Sequence, residues 1–378
     1  TIMKTIFYWC PFISKVATVR AVIKSAEALK RYSNHKFEPV IINVAGEWNE
    51  FKNENKFKIK IIDLNKSKIL DKKNWTGFYK SRLIYIYLFL ICFFPLLKLL
   101  KKNKPNFLII HLISSLPLFL NLIFNLKTKI ILRISGIPKL TFLRLILWKL
   151  SVRRIAYITT PTIGTYKDLI EKNFERKKIK ILHDPIITPS EILKKKKFDI
   201  NIKDSYYISI GRLTNQKNYK FLIKNLSSVI KSDYSIMLYI FGEGEQKNEL
   251  TKLISDLDLV NNVKLFPFTK NIYNYLRKSK GFILSSLWED PGFVLVESAY
   301  LNVPILSSNC KNGPEEILNY GNNGVLFESN NAKSFIEKFN NFHNLSNENK
   351  MKFKINAKKY VKKFTIFSHF LQLKEILK

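Results

Sequence analysis

Residues 281–318 read GFILSSLWEDPGFVLVESAYLNVPILSSNCKNGPEEIL, and the way this stretch alternates decides the fold. Phe282-Ile283-Leu284 is an apolar run of the length a buried strand needs, and it ends in Ser285-Ser286. The cluster Glu289-Asp290-Pro291-Gly292 puts Pro and Gly where a chain must bend sharply. Residues 293–301 have helical character and stop at Asn302, a residue that tolerates the left-handed position beyond a helix end. Val303-Pro304 breaks the helix, and Ile305-Leu306-Ser307 resumes as a strand. Strand, turn, helix, strand is one βαβ unit. Such units hold ligands at the carboxyl ends of their strands, beside helix N-termini. Two carboxylates, Glu289 and Glu297, bracket the turn.

The same alternation runs along the chain. Before this stretch, strands are expected at 4–9, 37–44, 57–62, 106–110, 129–134, 155–158, 178–182, 206–210, 235–241 and 263–266. Helices are expected at about 16–32, 140–151, 219–229 and 246–257 between them, and at 332–342, 350–364 and 368–377 after it. The pattern predicts an α/β chain with two parallel, doubly wound sheets in tandem. At 378 residues the chain exceeds one ordinary core. The expected domains are 1–186, completed by the C-terminal helix at about 365–378, and 187–364. Residues 185–199 read as a linker whose Lys194–Lys197 run is either a solvated stretch or a membrane-contacting patch.

A composition 46% hydrophobic and 13% aromatic excludes a disordered chain. The net charge of +35 implies an anionic partner, lipid headgroup or nucleic acid, or else a compositional bias toward Lys. Cys10, Cys92 and Cys310 are scattered without metal spacing, which fits a reducing cytosol. Residues 1–8 are too soon interrupted for a signal peptide. The apolar segment 83–97 is shorter than the roughly 20 residues a span needs, and it carries Pro95. It reads either as a buried core helix or as a helix lying in the membrane interface, with Lys98, Lys101, Lys102 and Lys104 toward headgroups.

The second half offers a ligand several groups at one sheet edge. Gly211-Arg212 follows a strand, and Lys217 comes a loop later. With the helix N-terminus at Gly292, two cations suit a diphosphate. Glu297 is disposed to meet hydroxyls such as a ribose diol, and Glu289 to sit against a polar sugar ring. A nucleotide sugar satisfies all four elements. Asp256-Leu257-Asp258 imitates a metal-binding DxD but closes an amphipathic helix, so no metal site is expected there. The turn Gly242-Glu243-Gly244-Glu245 lacks the third glycine of a dinucleotide fingerprint.

These residues carry a resemblance. GRL-x-x-Q-K-N (211–218), the GEGE turn, E-x7-E (289–297) and NGPEEIL (312–318), in this order and spacing, resemble the retaining GT-B glycosyltransferases of family four. The match extends over about 206–327, and the implied fold is two Rossmann-like domains with parallel sheets facing a central cleft. The resemblance implies that Arg212 and Lys217 grip the donor diphosphate, with Glu289 on the transferred sugar and Glu297 on the ribose. It adds Gly211, Gly242, Gly244 and Asp290 to the donor contacts, and backbone amides of Gly292, Phe293 and Val294 to the phosphates. His111, in HLISSLP, matches a position near the donor sugar. Pro11, Phe12 and Ser14 stand on the acceptor side, where the glycine-rich first loop of many members is missing.

The implied activity is metal-independent, cofactor-free transfer of a hexose-type sugar from a UDP- or GDP-linked donor to a glycan or lipid-linked glycan, with retention. The enzyme would sit in the cytoplasm, peripheral on the inner face of an anionic membrane. A sugar-nucleotide epimerase of the same fold is the alternative enzyme. A nucleic-acid-binding protein rests on charge alone, and no nucleic-acid partner is expected.

Overall fold

The computed structural model describes residues 3–13, 17–54, 57–66, 68–71, 78–136, 141–195, 205–269 and 271–378. The chain divides into two compact units, Thr1–Pro185 with Ile366–Lys378, and Ile186–Thr365.

Unit 1 is built on seven parallel strands: β1 (Lys4–Trp9), β2 (Phe37–Asn43), β3 (Lys60–Asp63), β4 (Phe107–Ile110), β5 (Lys129–Arg133), β6 (Tyr157–Thr160) and β7 (Ile179–Ile181). Their order is β3-β2-β1-β4-β5-β6-β7. The inner strands are continuous apolar runs such as FLII because helices cover both faces. One face packs Phe7, Val40, Leu108 and Ile130 against the helix Phe78–Asn103 and its neighbours. The other packs Tyr8, Ile41 and Ile109 against the helices Ala17–Tyr32 and Ile366–Ile376. The C-terminal helix is anchored to this unit by Ile366, Phe370, Leu373 and Leu377, and by a buried polar chain. In that chain Tyr8 Oη meets Ser25 Oγ at 3.0 Å, and Ser25 Oγ meets His369 Nε2 at 2.8 Å.

Unit 2 repeats the plan with six parallel strands: β8 (Tyr206–Ile210), β9 (Met237–Phe241), β10 (Val263–Phe266), β11 (Gly281–Leu284), β12 (Ile305–Ser308) and β13 (Val325–Phe327). Their order is β10-β9-β8-β11-β12-β13. The opening stretch is β11, the helix Phe293–Tyr300 and β12, and Asn302 takes the positive φ of 60° that its place beyond the helix requires.

Three expectations need correction. Residues 185–195 are not a plain linker: a helix covers Pro189–Lys195, and Ile192 is buried in the unit-2 core, while Lys196, Lys197 and the rest of the expected linker lie outside the described residues. The apolar helix is not confined to 83–97 but runs Phe78–Asn103, 26 residues, with Pro95 inside. It is the one helix among the described residues long and apolar enough to cross a membrane by length and composition. It is also not simply buried. Ile84, Leu88, Cys92, Leu96 and Leu100, four apart, face the core, while Leu83, Ile86, Leu90 and Phe94 are 60–74% exposed. Finally, the short helices Asn49–Glu54 and Ile272–Lys278 give no signal in the sequence pattern.

Candidate functional site

In an open α/β sheet, ligands collect where neighbouring strands lead to opposite sides of the sheet. In unit 2 that point lies between β8 and β11. The loops that follow these strands carry Arg212, Lys217, Glu289 and Gly292. They are sewn together: Leu287 N–H donates to Gln216 O at 2.9 Å, Gln216 Nε2 to Trp288 O at 3.0 Å, and Ser285 Oγ to Lys217 O at 2.7 Å. Gln216 and Ser285 therefore hold the two loops in register.

At the centre, Lys217 Nζ donates to Glu289 Oε1 at 2.5 Å, and Ser286 Oγ donates to the same oxygen at 2.6 Å. The Glu289 side chain is 6% exposed and that of Lys217 15%. A carboxylate so buried keeps its charge only when paired and hydrogen-bonded. Lys217 and Glu289, given separate ligand roles above, are thus direct partners. Arg212 is exposed, with Nη2 3.5 Å from Gln216 Oε1. Gly292 caps the helix Phe293–Tyr300 with φ of 91°, a conformation that favours glycine. The first turn beyond it, with Phe293 and Val294, presents N–H groups that have no acceptor within the helix. Asp290, beside the turn, is half-buried. Glu297 is buried on the same helix and accepts from Tyr273 Oη at 2.7 Å.

The glycines have packing reasons of their own. A Cβ on Gly211 would stand 2.7 Å from Lys217 Cε, so the lysine stem crosses over that glycine. On Gly242 it would meet Gly211 O at 1.9 Å, and on Gly244 it would meet Leu213 O at 2.3 Å. Gly242 and Gly244, expected to approach a nucleotide, lie against the backbone of the 211–213 loop. Gly313 of the NGPEEIL segment likewise abuts Pro291 O, which braces the 289–292 turn.

Unit 1 has its own switch point, between β1 and β4. A pocket of about 440 Å³ opens there, lined by Pro11 and Phe12 after β1, His111 after β4 and Arg133 with Ser135 around the end of β5. Tyr85 and Arg144 line it from the helices Phe78–Asn103 and Phe142–Val152. Ser14 lies outside the described residues. His111 Nδ1 is 3.4 Å from Ser135 Oγ, and its Nε2 is buried with no partner among the described residues. Burial, then the positive charge of Arg133, holds its pKa well below the usual histidine value, so the ring is neutral near pH 7. Arg133 Nη2 pairs with Asp184 Oδ1 at 2.5 Å while Nη1 is buried without a partner among the described residues. Sequence reasoning missed Arg133, Arg144 and Ser286. The signal for Arg133 was available: a charge at the carboxyl end of an otherwise apolar strand, KIILR. Among the described residues no group of three or more His, Cys, Asp or Glu side chains is arranged to hold a metal.

Two tandem parallel sheets, each with a polar site at its switch point, make the GT-B architecture, and comparison with known proteins gives the class, a glycosyltransferase. The family model for glycosyl transferases group 1 matches residues 190–360. An uncharacterized glycosyltransferase of Methanocaldococcus jannaschii is 32% identical over 278 residues, 68% of this chain and 67% of that one. The chain belongs to this glycosyltransferase family. A Campylobacter jejuni N-acetylgalactosamine-N,N'-diacetylbacillosaminyl-diphospho-undecaprenol 4-alpha-N-acetylgalactosaminyltransferase is 33% identical over 175 residues, 46% of this chain and 47% of that one. Among solved structures, Anabaena HepE in complex with UDP superposes with a TM-score of 0.73 at 15% identity, over 99% of each chain.

Proposed function

We propose that the chain is a retaining, metal-independent glycosyltransferase that moves a hexose-type sugar from a nucleotide-diphosphate donor to a growing lipopolysaccharide, O-antigen or capsule glycan. The carrying observation is the buried Lys217–Glu289 pair at the unit-2 switch point, beside the helix N-terminus at Gly292. In this reading Glu289 holds the Lys217 ammonium in place before the donor arrives. Lys217, Arg212 and the first-turn amides of Gly292, Phe293 and Val294 then take the diphosphate oxygens, and Glu297 takes the ribose hydroxyls. The anomeric C–O bond to the β-phosphate breaks. The acceptor oxygen attacks from the same face, and its proton passes to a phosphate oxygen of the leaving group. Negative charge grows on the diphosphate as the bond breaks, so fixed cations and amides there lower the barrier. Glu289, in this reading, lies against the transferred sugar.

The relatives favour a lipid-linked acceptor, since the Campylobacter enzyme is named for a diphospho-undecaprenol substrate. The exposed apolar face of the helix Phe78–Asn103, with Lys98, Lys101 and Lys102 at its end, suits a peripheral seat on the anionic inner face of the cell membrane. The test is a transfer assay with nucleotide sugars and a membrane extract as acceptor, read by the anomeric proton coupling of the product. Retained configuration with added chelator supports the reading. An inverted product or a chelator-abolished reaction sinks it, and conversion of the free nucleotide sugar without acceptor would make the protein an epimerase.

A further inference from the structure

Glu297 lies within the helix Phe293–Tyr300 and is only 5% exposed, among neighbours Leu295, Val296 and Ala299 that belong to the unit-2 core. Its Oε1 accepts from Tyr273 Oη at 2.7 Å, the length of a charge-assisted O–H···O bond. The needs of a buried tyrosine do not account for this pairing. A backbone carbonyl satisfies such a hydroxyl, as Tyr275 O does for Tyr206, whereas burying a carboxylate for the purpose is costly. The hydroxyl therefore serves the carboxylate, and the carboxylate serves something else.

Tyr273 is well placed to fix it. The residue is 5% exposed, part of the unit-2 core, and stands near the start of the helix Ile272–Lys278, which follows the carboxyl end of β10. That helix is tied to the sheet: Tyr206 Oη, on β8, donates to Tyr275 O at 2.7 Å, and the Tyr206 ring stacks on Tyr239 of β9 with 4.4 Å between centroids. A glutamate has several rotatable bonds, and ordering them at the moment of binding would weaken affinity. Bonding Oε1 to a hydroxyl that the core already holds orders the carboxylate beforehand. An ionised carboxylate offers about four acceptor positions, so one oxygen is pinned without ending the group's capacity to meet a diol.

We propose that Tyr273 is a positioning residue: it aims the Glu297 carboxylate at the ribose hydroxyls of the donor and so sets a preference for ribonucleotides over deoxyribonucleotides. The inference rests on the donor-site reading, in which Glu297 takes those hydroxyls. The competing explanation is a purely structural bond that joins two helices of unit 2 and has no bearing on the sugar of the nucleotide.

Calorimetric titration of the full chain with UDP, GDP and ADP, and then with the 2′-deoxy and 3′-deoxy forms of whichever binds, separates the two. The wild type should hold the ribonucleotide at least about tenfold more tightly than either deoxy form, the loss expected when a hydrogen bond to a charged group is missing. Tyr273→Phe, which keeps the ring, should cut that preference to about twofold or less while binding the deoxy forms as the wild type does. Glu297→Gln should lower the preference as well, and adding Tyr273→Phe to it should lower it no further. The double variant strands no buried charge, so it remains measurable if Tyr273→Phe alone does not fold. A preference lost in Glu297→Gln but intact in Tyr273→Phe defeats only this inference. So does equal weakening of ribonucleotide and deoxynucleotide by Tyr273→Phe, or a further fall of the preference in the double variant. A wild type that binds all three sugar forms alike removes Glu297 from the ribose and this inference with it. No binding of any nucleoside diphosphate defeats the donor-site reading itself.

Discussion

Replacing Lys217 with alanine strips the Glu289 carboxylate of its cation and leaves it with the Ser286 hydroxyl. Breaking a buried ion pair from one side costs about 3–5 kcal/mol, because the remaining charge stays desolvated. Lys217 is 15% exposed, so water partly compensates and the low end, about 3 kcal/mol, applies. A domain the size of unit 2 loses about 2–4 °C per kcal/mol, so its transition should fall by roughly 6–12 °C. Adding Glu289→Gln removes the orphaned charge, and the double variant should recover about half the loss. Catalysis should behave differently. Losing a group that stabilises developing charge costs about 100- to 1000-fold in kcat, and the second substitution should restore none of it. Calorimetry of the four proteins of the cycle, alongside turnover, reads both quantities. Strictly additive destabilisation would refute the pairing, and near-normal turnover by Lys217→Ala would refute the donor-site role.

Further outcomes follow from the same geometry. Gly211→Ala should displace the flexible Lys217 stem from 2.7 Å, lowering kcat/KM far more than Tm, whereas Gly242→Ala meets a rigid carbonyl at 1.9 Å and should destabilise by about 1–3 kcal/mol in denaturant titration. Unit 1 should lose stability on acidification. Burial lowers the folded pKa of His369 to about 3 and that of His111 well below its usual value, so below about pH 6.5 the unfolded chain binds more protons at each and their stabilisation is lost as pH falls. Glu47, raised by burial to about 7, works in the opposite sense: its stabilisation is present at low pH and lost as pH rises through 7. Two histidines against one glutamate leave one proton net, about 1.4 kcal/mol per pH unit between pH 5 and 6, and His369→Gln should flatten that slope in urea titrations. Phe94→Ser with Leu143→Ser, both at exposed positions, should reduce cosedimentation with anionic liposomes at least about tenfold without moving Tm. Unchanged binding would remove the membrane seat.

The unit-2 loops of the candidate site were legible because their determinants are local in sequence. Gly, Pro and Asn at fixed offsets set the 289–292 turn and the positive φ of Asn302, and such positions announce themselves by residue type. The pairing of Lys217 with Glu289 was not legible, since it joins loops 72 residues apart whose approach depends on β8 lying beside β11. Gly242 and Gly244 also pack against a neighbouring backbone, which sequence alone does not show, because an approach to a ligand and an approach to a backbone demand the same residue. The helix Phe78–Asn103 was under-measured because its aromatic and aliphatic residues form no single polar face, and periodicity alone does not separate core from exposed apolar surface. Arg133 gained its meaning only from Asp184, 51 residues on, and from the pocket that the two helices enclose with it.

The claim on which the rest depends is that unit 2 holds a nucleotide-diphosphate sugar on Lys217. Thermal unfolding of the wild type and Lys217→Ala with UDP-, GDP- and ADP-linked sugars tests it most directly. A donor at about 100 times its Kd stabilises by about 2.7 kcal/mol, which predicts a rise of roughly 5–10 °C for one base and little or none in the variant. No rise with any of the three, or the same rise in Lys217→Ala as in the wild type, would contradict it.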